Sequence, residues 1–432
     1  MTPTRVAGRT FAALAVPAYR RFWSTGLVSG AGTAMQGIAL DWYVLELTGS
    51  GTAVGWAVGL QWAPVLLFGL WGGVLADRYP RRTLLLVAQW LYALQATVLA
   101  VAVLTGHAPL ALLYVLAFAL GCVFTVENPA RLAFVTELVG PALIPNAAGL
   151  NILSLNAARL VGPAIAGVLV AQIGAGWVFV VNAASFGVVL VGLATIRPLP
   201  RPVSPRTPWR GAGPAGVRYV AGRPGLVAVF TVFAVVAAFG LTFPASLTLF
   251  ADRVFDTGSV GLGFMSTALA VGTVLGTLYG ARRAHPTVRS VVVGALAFGG
   301  CAGLAAGAPT YPLFLVLLVP VGAALMVLNT AVSGYVQIDV TEAVRGRVMA
   351  VYTVVSMGGM ALGGPVVGAI SQHAGARWGL LAGGVASVLG ALAVAGWLAR
   401  RPAPGTPAPA TPAPVTPVPT RGTVPCPTGG TP

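Results

Sequence analysis

The chain has 432 residues, of which 57% are hydrophobic and 8% charged, with a mean hydropathy of +0.87 and a formal net charge of +16. A water-soluble domain carries about a quarter of its residues as charges, so a globule with a solvated surface is excluded. The chain has no lysine, which excludes a Gly-x-x-x-x-Gly-Lys-Ser/Thr phosphate loop; three cysteines and three scattered histidines form no metal-ligand spacing or catalytic constellation, so no enzyme and no cofactor is expected.

In chain order, residues 1–21 are a short arm. Its apolar stretch Phe11–Val16 is separated from the first long apolar run by Arg20-Arg21 and is read as an arm rather than a leader peptide. Twelve runs follow, each about the 20 residues that a helix needs to cross a bilayer. They cover 22–46, 53–75, 83–105, 109–128, 147–171 and 177–196, then 225–250, 259–281, 289–308, 311–335, 348–371 and 377–399. In lipid only helices and closed barrels satisfy the backbone, and uninterrupted runs rather than ten-residue alternations select helices. The expected fold is an all-α membrane protein with twelve transmembrane helices in two six-helix pseudo-symmetric halves, 22–196 and 225–400. A Pro/Arg-rich linker, 197–224, joins them, and the Pro/Thr-rich tail 401–432 is expected to be disordered.

The positive charge could suggest nucleic acid, but its distribution points to a membrane. With these spans, 22 of the 25 arginines fall on one side; Arg253 and Arg377 fall on the other, and Arg159 lies inside a span. The positive-inside rule then puts both termini in the cytoplasm, as an even number of spans requires. The expected setting is a bacterial cytoplasmic membrane, with lipid and a small molecule as partners, no nucleic acid and a monomeric chain.

The two halves carry related signals. Val161-Gly162-Pro163-Ala164-Ile165-Ala166-Gly167 returns as Gly363-Gly364-Pro365-Val366-Val367-Gly368, with the prolines 202 residues apart, and Val135-Thr136-Glu137 returns as Val340-Thr341-Glu342. Paired halves about an axis along the membrane normal are a transporter design.

Between the second and third runs lies Gly72-Gly73-Val74-Leu75-Ala76-Asp77-Arg78-Tyr79-Pro80-Arg81-Arg82. It resembles the signature loop Gly-x-Leu-x-Asp-Arg-x-x-Arg-Arg of the major facilitator superfamily. Gly73, Asp77, Arg78, Arg81 and Arg82 are therefore candidate gating residues: the glycines allow close helix approach, Asp77 can meet a helix N-terminus or an arginine, and Arg81 and Arg82 can anchor the turn at anionic lipid. The corresponding stretch of the second half, Gly280–His285, has basic residues without a matching acid. Gly162, Pro163 and Gly167 resemble the Gly-Pro antiporter motif of facilitator exporters, although Ala158 and Ala166 stand where that pattern has glycines; Gly364 and Pro365 echo it in a structural setting. Asn128-Pro129-Ala130-Arg131, Asn156-Ala157-Ala158-Arg159, Gly216-Val217-Arg218-Tyr219-Val220 and Arg345-Gly346-Arg347-Val348-Met349-Ala350 together look like the branch that contains enterobactin-type siderophore exporters and macrolide efflux proteins.

Ionisable and polar groups inside spans are functional candidates because they are costly there. Gln36 and Asp41 in the first span, Glu127 in the fourth and Arg159 near the middle of the fifth form the candidate substrate or proton pathway. Asp41 can take up a proton and couple it to substrate movement, and Arg159 can bind an anionic group. The alternative is fixed pairing of Glu127 with Arg131 at helical spacing, or of Arg159 with Asp41 or Glu127. Gln61, Gln89, Gln95 and Asn182 are weaker pathway candidates.

The resemblance implies a secondary active transporter that exports a drug-like compound or siderophore by alternating access. A proton gradient would drive it, and the first, fourth, seventh and tenth helices would line a central cavity. Import of a nutrient or siderophore, and a non-transporting membrane scaffold, are the alternatives.

Overall fold

A computed structural model describes residues 11–196, 212–282 and 286–400, and every regular element in them is helical. The first half contains α1 (Pro17–Thr48), α2 (Gly51–Arg78), α3 (Arg81–Leu104), α4 (Leu110–Leu138), α5 (Ile144–Ile173) and α6 (Ala175–Thr195). The second contains α7 (Ala212–Ala221), α8 (Pro224–Gly240), α9 (Phe243–Leu249), α10 (Gly258–Ala281), α11 (Val288–Ala306), α12 (Tyr311–Asp339), α13 (Glu342–His373) and α14 (Ala376–Ala399). Among the described residues, eleven helical stretches are long and apolar enough to cross a membrane. The twelfth crossing is α1. Its 32 residues carry Ser29, Thr33, Gln36 and Asp41, and it packs into its half against α5 and α6.

The two halves repeat one packing scheme. In the first, α1 packs on α5 and α6, α2 on α4, and α3 on α6; in the second, α8 packs on α13 and α14, α10 on α12, and α11 on α14. Lipid is as apolar as leucine, so close packing rather than water exclusion holds such helices together.

Three local features differ from a simple reading of apolar runs. The seventh crossing is broken: α8 ends at Gly240, α9 starts at Phe243, and one π turn, Phe250–Val254, completes the crossing. Pro244 has no N–H to continue the ladder, and the buried Thr242 hydroxyl donates back to the Ala238 and Phe239 carbonyls, each at 3.2 Å. The end of the linker is helical: Gly216 of α7 packs against the Arg347 backbone of α13, and Val220 joins a cluster with Leu226, Val336, Val340 and Val348. The arm is docked from residue 11 onward. Ala13 N–H donates to Asn146 Oδ1 at 2.9 Å, and the Tyr19 hydroxyl and Trp23 Nε1 donate to the Ala147 and Leu150 carbonyls, each at 2.8 Å. Residues 1–10, 197–211, 283–285 and the tail 401–432 lie outside the described residues, as does the side chain of Asp77.

Candidate functional site

The halves meet at the end of the molecule opposite the arginine-rich turns. There α2 and α13 are in backbone contact. A Cβ added at Gly364 would stand 2.6 Å from the Gly55 carbonyl oxygen, and one at Gly368 would stand 2.6 Å from that of Gly51. On the other flank α5 meets α10: a Cβ at Gly263 would lie 2.6 Å from the Pro163 carbonyl oxygen, and one at Gly167 would lie 2.5 Å from that of Ser259. Only glycine permits this approach. Four hydrogen bonds reinforce it. Gly51 N–H donates to Gln372 Oε1 at 2.7 Å, Ser259 Oγ to the Gly167 carbonyl at 3.1 Å, Thr267 Oγ1 to the Leu160 carbonyl at 3.1 Å, and an Arg253 guanidinium N–H to the Gly49 carbonyl. Gly49 is the left-handed cap of α1 (φ 59°). Arg253 and Gln372 therefore both grip the α1–α2 turn from the other half.

Toward the arginine-rich end the halves part. On α2, Gly55 and Gly59 press on α13, whereas a Cβ at Gly73 would meet nothing within 4 Å. On α5, Ala158 and Gly162 face α1 while Pro163 and Gly167 face α10. The arc between those two contacts looks into the middle of the molecule. At the closed end that arc is sealed, with Ala166 0% and Val170 8% exposed; toward the arginine-rich end it is open, with Ile152 53% and Leu155 49% exposed. The result is a vestibule between the halves, open at the arginine-rich end and closed at the other.

Arg159 lies on that inward arc, exposed, and makes no hydrogen bond or ion pair with a described residue. The alternative of pairing with Asp41 fails on register. Ala158 packs on Gly30 and Gly162 on Ala34, so Asp41 stands about ten residues, or roughly 15 Å, nearer the closed end. Pairing with Glu127 fails because Glu127 Oε1 is held by Arg131 Nε at 2.5 Å. That pair lies within one helix, with Glu127 buried. Arg131 also lies 5.8 Å from the Phe22 ring centroid and beside Gly26 of α1. Asp41 is buried near the closed end with no ion pair among the described residues.

Gln36 does not line the vestibule in this state. Asn182 Nδ2 donates to its Oε1 at 2.7 Å, and its Nε2 donates to Gln95 Oε1 at 3.2 Å. Gln95 Nε2 in turn donates to the Leu116 carbonyl at 3.3 Å, and Ser185 Oγ donates to Asn182 Oδ1 at 3.1 Å. Gln36, Gln95 and Asn182 thus form a buried clasp that ties α1, α3, α4 and α6 together. Buried amides in lipid need such mutual satisfaction.

The signature loop is anchored inside its own half. Arg81 Nη1 pairs with Glu137 Oε1 at 2.6 Å, joining α3 to the end of α4. Arg82 donates to the Leu193 and Ala194 carbonyls at 3.2 and 2.9 Å, capping the exposed carbonyl end of α6. Arg78 is exposed, and Gly72 rather than Gly73 makes the close approach, against Thr125 of α4. In the second half, Gly364-Pro365 lies in the α2–α13 seal just as Pro163 and Gly167 lie in the α5–α10 seal. A separate cleft of about 320 Å³ at the arginine-rich surface is lined by Val16, Arg21, Glu137 and Thr195.

Sequence reasoning missed Gly55, Gly59, Gly263, Arg253, Gln372 and Thr267. Spacing could have flagged the first two, since Gly51, Gly55 and Gly59 recur every four residues on one helix face. Arg253 stood out only as an exception to the charge asymmetry.

Residues 8–405 match a family model described as transmembrane secretion effector, a division of the major facilitator superfamily. The chain is 26% identical over 359 residues to the enterobactin exporter EntS of Shigella boydii serotype 18, covering 82% of this chain and 85% of that one. It is 25% identical over the same length and coverage to EntS of Escherichia coli O9:H4. Among solved structures, a bacterial homologue of the human lysosomal transporter Spinster, inward-facing and unoccupied, superposes with a TM-score of 0.71 at 17% identity, over 90% of this chain and 98% of that one. The nucleoside transporter NupG superposes with a TM-score of 0.67 at 15% identity, over 89% of this chain and all of the other (100%). At these identities the structural likeness shows the fold.

Proposed function

The chain belongs to the transmembrane secretion effector family of the major facilitator superfamily, and from that premise we propose that this transporter exports a small organic molecule, a drug-like compound or siderophore, across the bacterial cytoplasmic membrane by alternating access. The observation that carries the reading is the vestibule, closed where Gly55 and Gly59 meet Gly364 and Gly368 and open between the arginine-rich turns. The positive-inside asymmetry puts those turns and both termini in the cytoplasm, so the vestibule loads from the cytoplasm. Exporting relatives at 25–26% identity support the outward direction and a siderophore-like cargo.

The rocking step breaks the four hydrogen bonds and the glycine contacts of the outer seal and brings the cytoplasmic halves of α2 and α13, and of α5 and α10, together. Gly73, with open space before it, then becomes a contact point, and Asp77 and Arg78 of the same turn move toward the other half. Arg81 and Arg82 hold that turn rigidly to α4 and α6, so the first half moves as one body.

Inward proton flow drives the cycle in this reading, with Asp41 as the proton site. A carboxylate without a cation partner at membrane depth is costly to charge. Protonation there biases the equilibrium between the two states by whatever affinity difference the states have for the proton.

The test is uptake into everted and right-side-out vesicles that contain the purified chain, under an imposed pH gradient, with a panel of siderophores and antibiotics. Accumulation in everted vesicles, acid inside, that collapses with a protonophore supports proton-driven export. Accumulation only in right-side-out vesicles overturns it.

A further inference from the structure

The charges in the vestibule are unbalanced. The chain has nine acids. Glu127, Glu137, Asp339 and Asp252 are each matched to an arginine, namely Arg131, Arg81, Arg223 and Arg253. Glu46, Asp77, Asp256 and Glu342 belong to helix ends and turns, and Asp41 lies about ten residues from Arg159 toward the closed end. The carboxylates of the second half all lie at the ends of its crossings or in turns, away from mid-depth. On its α13 the Tyr352 hydroxyl donates to Asn329 Oδ1, and the Tyr352 ring stacks on the buried Phe233 at 5.1 Å, so this polar pair is uncharged and satisfied within its own half. At the depth of Gly30, therefore, the first half presents a neutralised Glu127–Arg131 pair and one uncompensated, exposed cation, Arg159. A guanidinium at membrane depth needs an anion or an open polar volume, and its planar fork matches a two-oxygen anion such as a carboxylate.

We propose that the vestibule selects anionic amphiphiles, with Arg159 as the residue that anchors the anionic group and the exposed apolar arc of α5 around Ile152 and Leu155 receiving the rest of the molecule. The inference rests on the transport reading above and names its substrate class. Arg159 binds the cargo in the state open to the cytoplasm, and Glu127 cannot quench it because Arg131 already occupies that carboxylate. Docking against α1 and α10 on either side of Arg159 sets the site between the helices rather than on the lipid-facing surface.

The experiment uses the full chain in nanodiscs and two fluorescent probes that differ only in charge, dansylglycine and dansylglycinamide. Wild type is expected to bind the anionic probe about ten- to a hundredfold more tightly than the neutral one, the worth of a hydrogen bond to a charged group. Arg159→Gln is expected to weaken dansylglycine to parity with the amide while leaving the amide unchanged, and Arg159→Lys to keep part of the preference. Equal binding of both probes by wild type, which needs no variant, overturns the proposal, as does an Arg159→Gln protein that retains the preference. The measurement is repeated in discs of phosphatidylcholine alone and with phosphatidylglycerol. If the anionic lipid displaces dansylglycine competitively, the site holds a headgroup and the soluble-anion proposal falls. Anion-selective binding without any vesicle transport would refute the export reading and leave this one standing; vesicle transport with no anion preference would do the reverse.

Discussion

Gly364→Ala should shift the molecule out of the state that is open at the arginine-rich end. The added Cβ would stand 2.6 Å from the Gly55 carbonyl oxygen, 3.1 Å from the Gly59 nitrogen and 3.4 Å from the Gly59 Cα. These are backbone atoms of a helix, so no rotamer change relieves the contact and α2 must separate from α13. Overpacking of this kind costs about 1–3 kcal/mol. The outer seal exists only while that end is closed, so the cost falls on one state of the equilibrium. A bias of that size changes the ratio of states by roughly 5- to 150-fold. Spin labels on cysteines introduced at Ala142 and Arg282, at the arginine-rich ends of α5 and α10, report the change in a background lacking the native cysteines. Wild type should give the longer distance, and Gly364→Ala should populate a shorter one. Gly396→Ala on α14 is the control, since its Cβ meets nothing within 4 Å. An unchanged distance distribution in Gly364→Ala, or an equal shift in Gly396→Ala, would refute the reasoning.

Other outcomes follow from the same geometry. Asp41→Asn should abolish transport driven by a pH gradient while sparing substrate exchange across vesicles without one; full gradient-driven transport would remove Asp41 as the proton site. Arg131→Gln leaves the Glu127 carboxylate buried and unpaired, and should lower unfolding stability in detergent by about 3–5 kcal/mol. The double change with Glu127→Gln should recover most of that loss in the same denaturation measurement. Asn182→Leu removes the donor to Gln36 Oε1 and should cost about 1–3 kcal/mol without altering the binding preference of the vestibule. Loss of that preference would move the clasp into the pathway. Arg253→Ala with Gln372→Ala should raise the reactivity of cysteines placed in the outer half of the vestibule toward a membrane-impermeant thiol reagent added from outside; unchanged labelling would show that these two side chains do not hold the seal.

Much of the protein was legible in its residues. Length, hydropathy and the placement of arginines located all twelve crossings and their common arginine-rich side, because each depends on what one segment does in a bilayer. The signature turn and the recurring Gly-Pro element, 202 residues apart, carried the superfamily. The Glu127–Arg131 pair was readable as well, since four-residue spacing on one helix is local geometry.

The remaining features depend on how helices slide past one another. Helix periodicity puts Gln36 and Asp41 on helix faces, but it does not say that Gln36 meets Gln95 and Asn182, residues distant in the chain, or that Asp41 lies well outward of Arg159. The register of α1 against α5, set by Gly30 on Ala158 and Ala34 on Gly162, decides that separation and leaves Arg159 without a carboxylate. The glycines of α2 and α13 look alike in sequence; only their contact across the halves makes Gly55 and Gly364 a seal while Gly73 faces open space. Composition and hydropathy were enough to say which segments enter the membrane, since that depends on what each segment alone does in a bilayer. Which end is closed, which charges are satisfied and which one is left facing the vestibule were decided by tertiary packing, because depth register between helices is a property of pairs of surfaces and not of either helix alone.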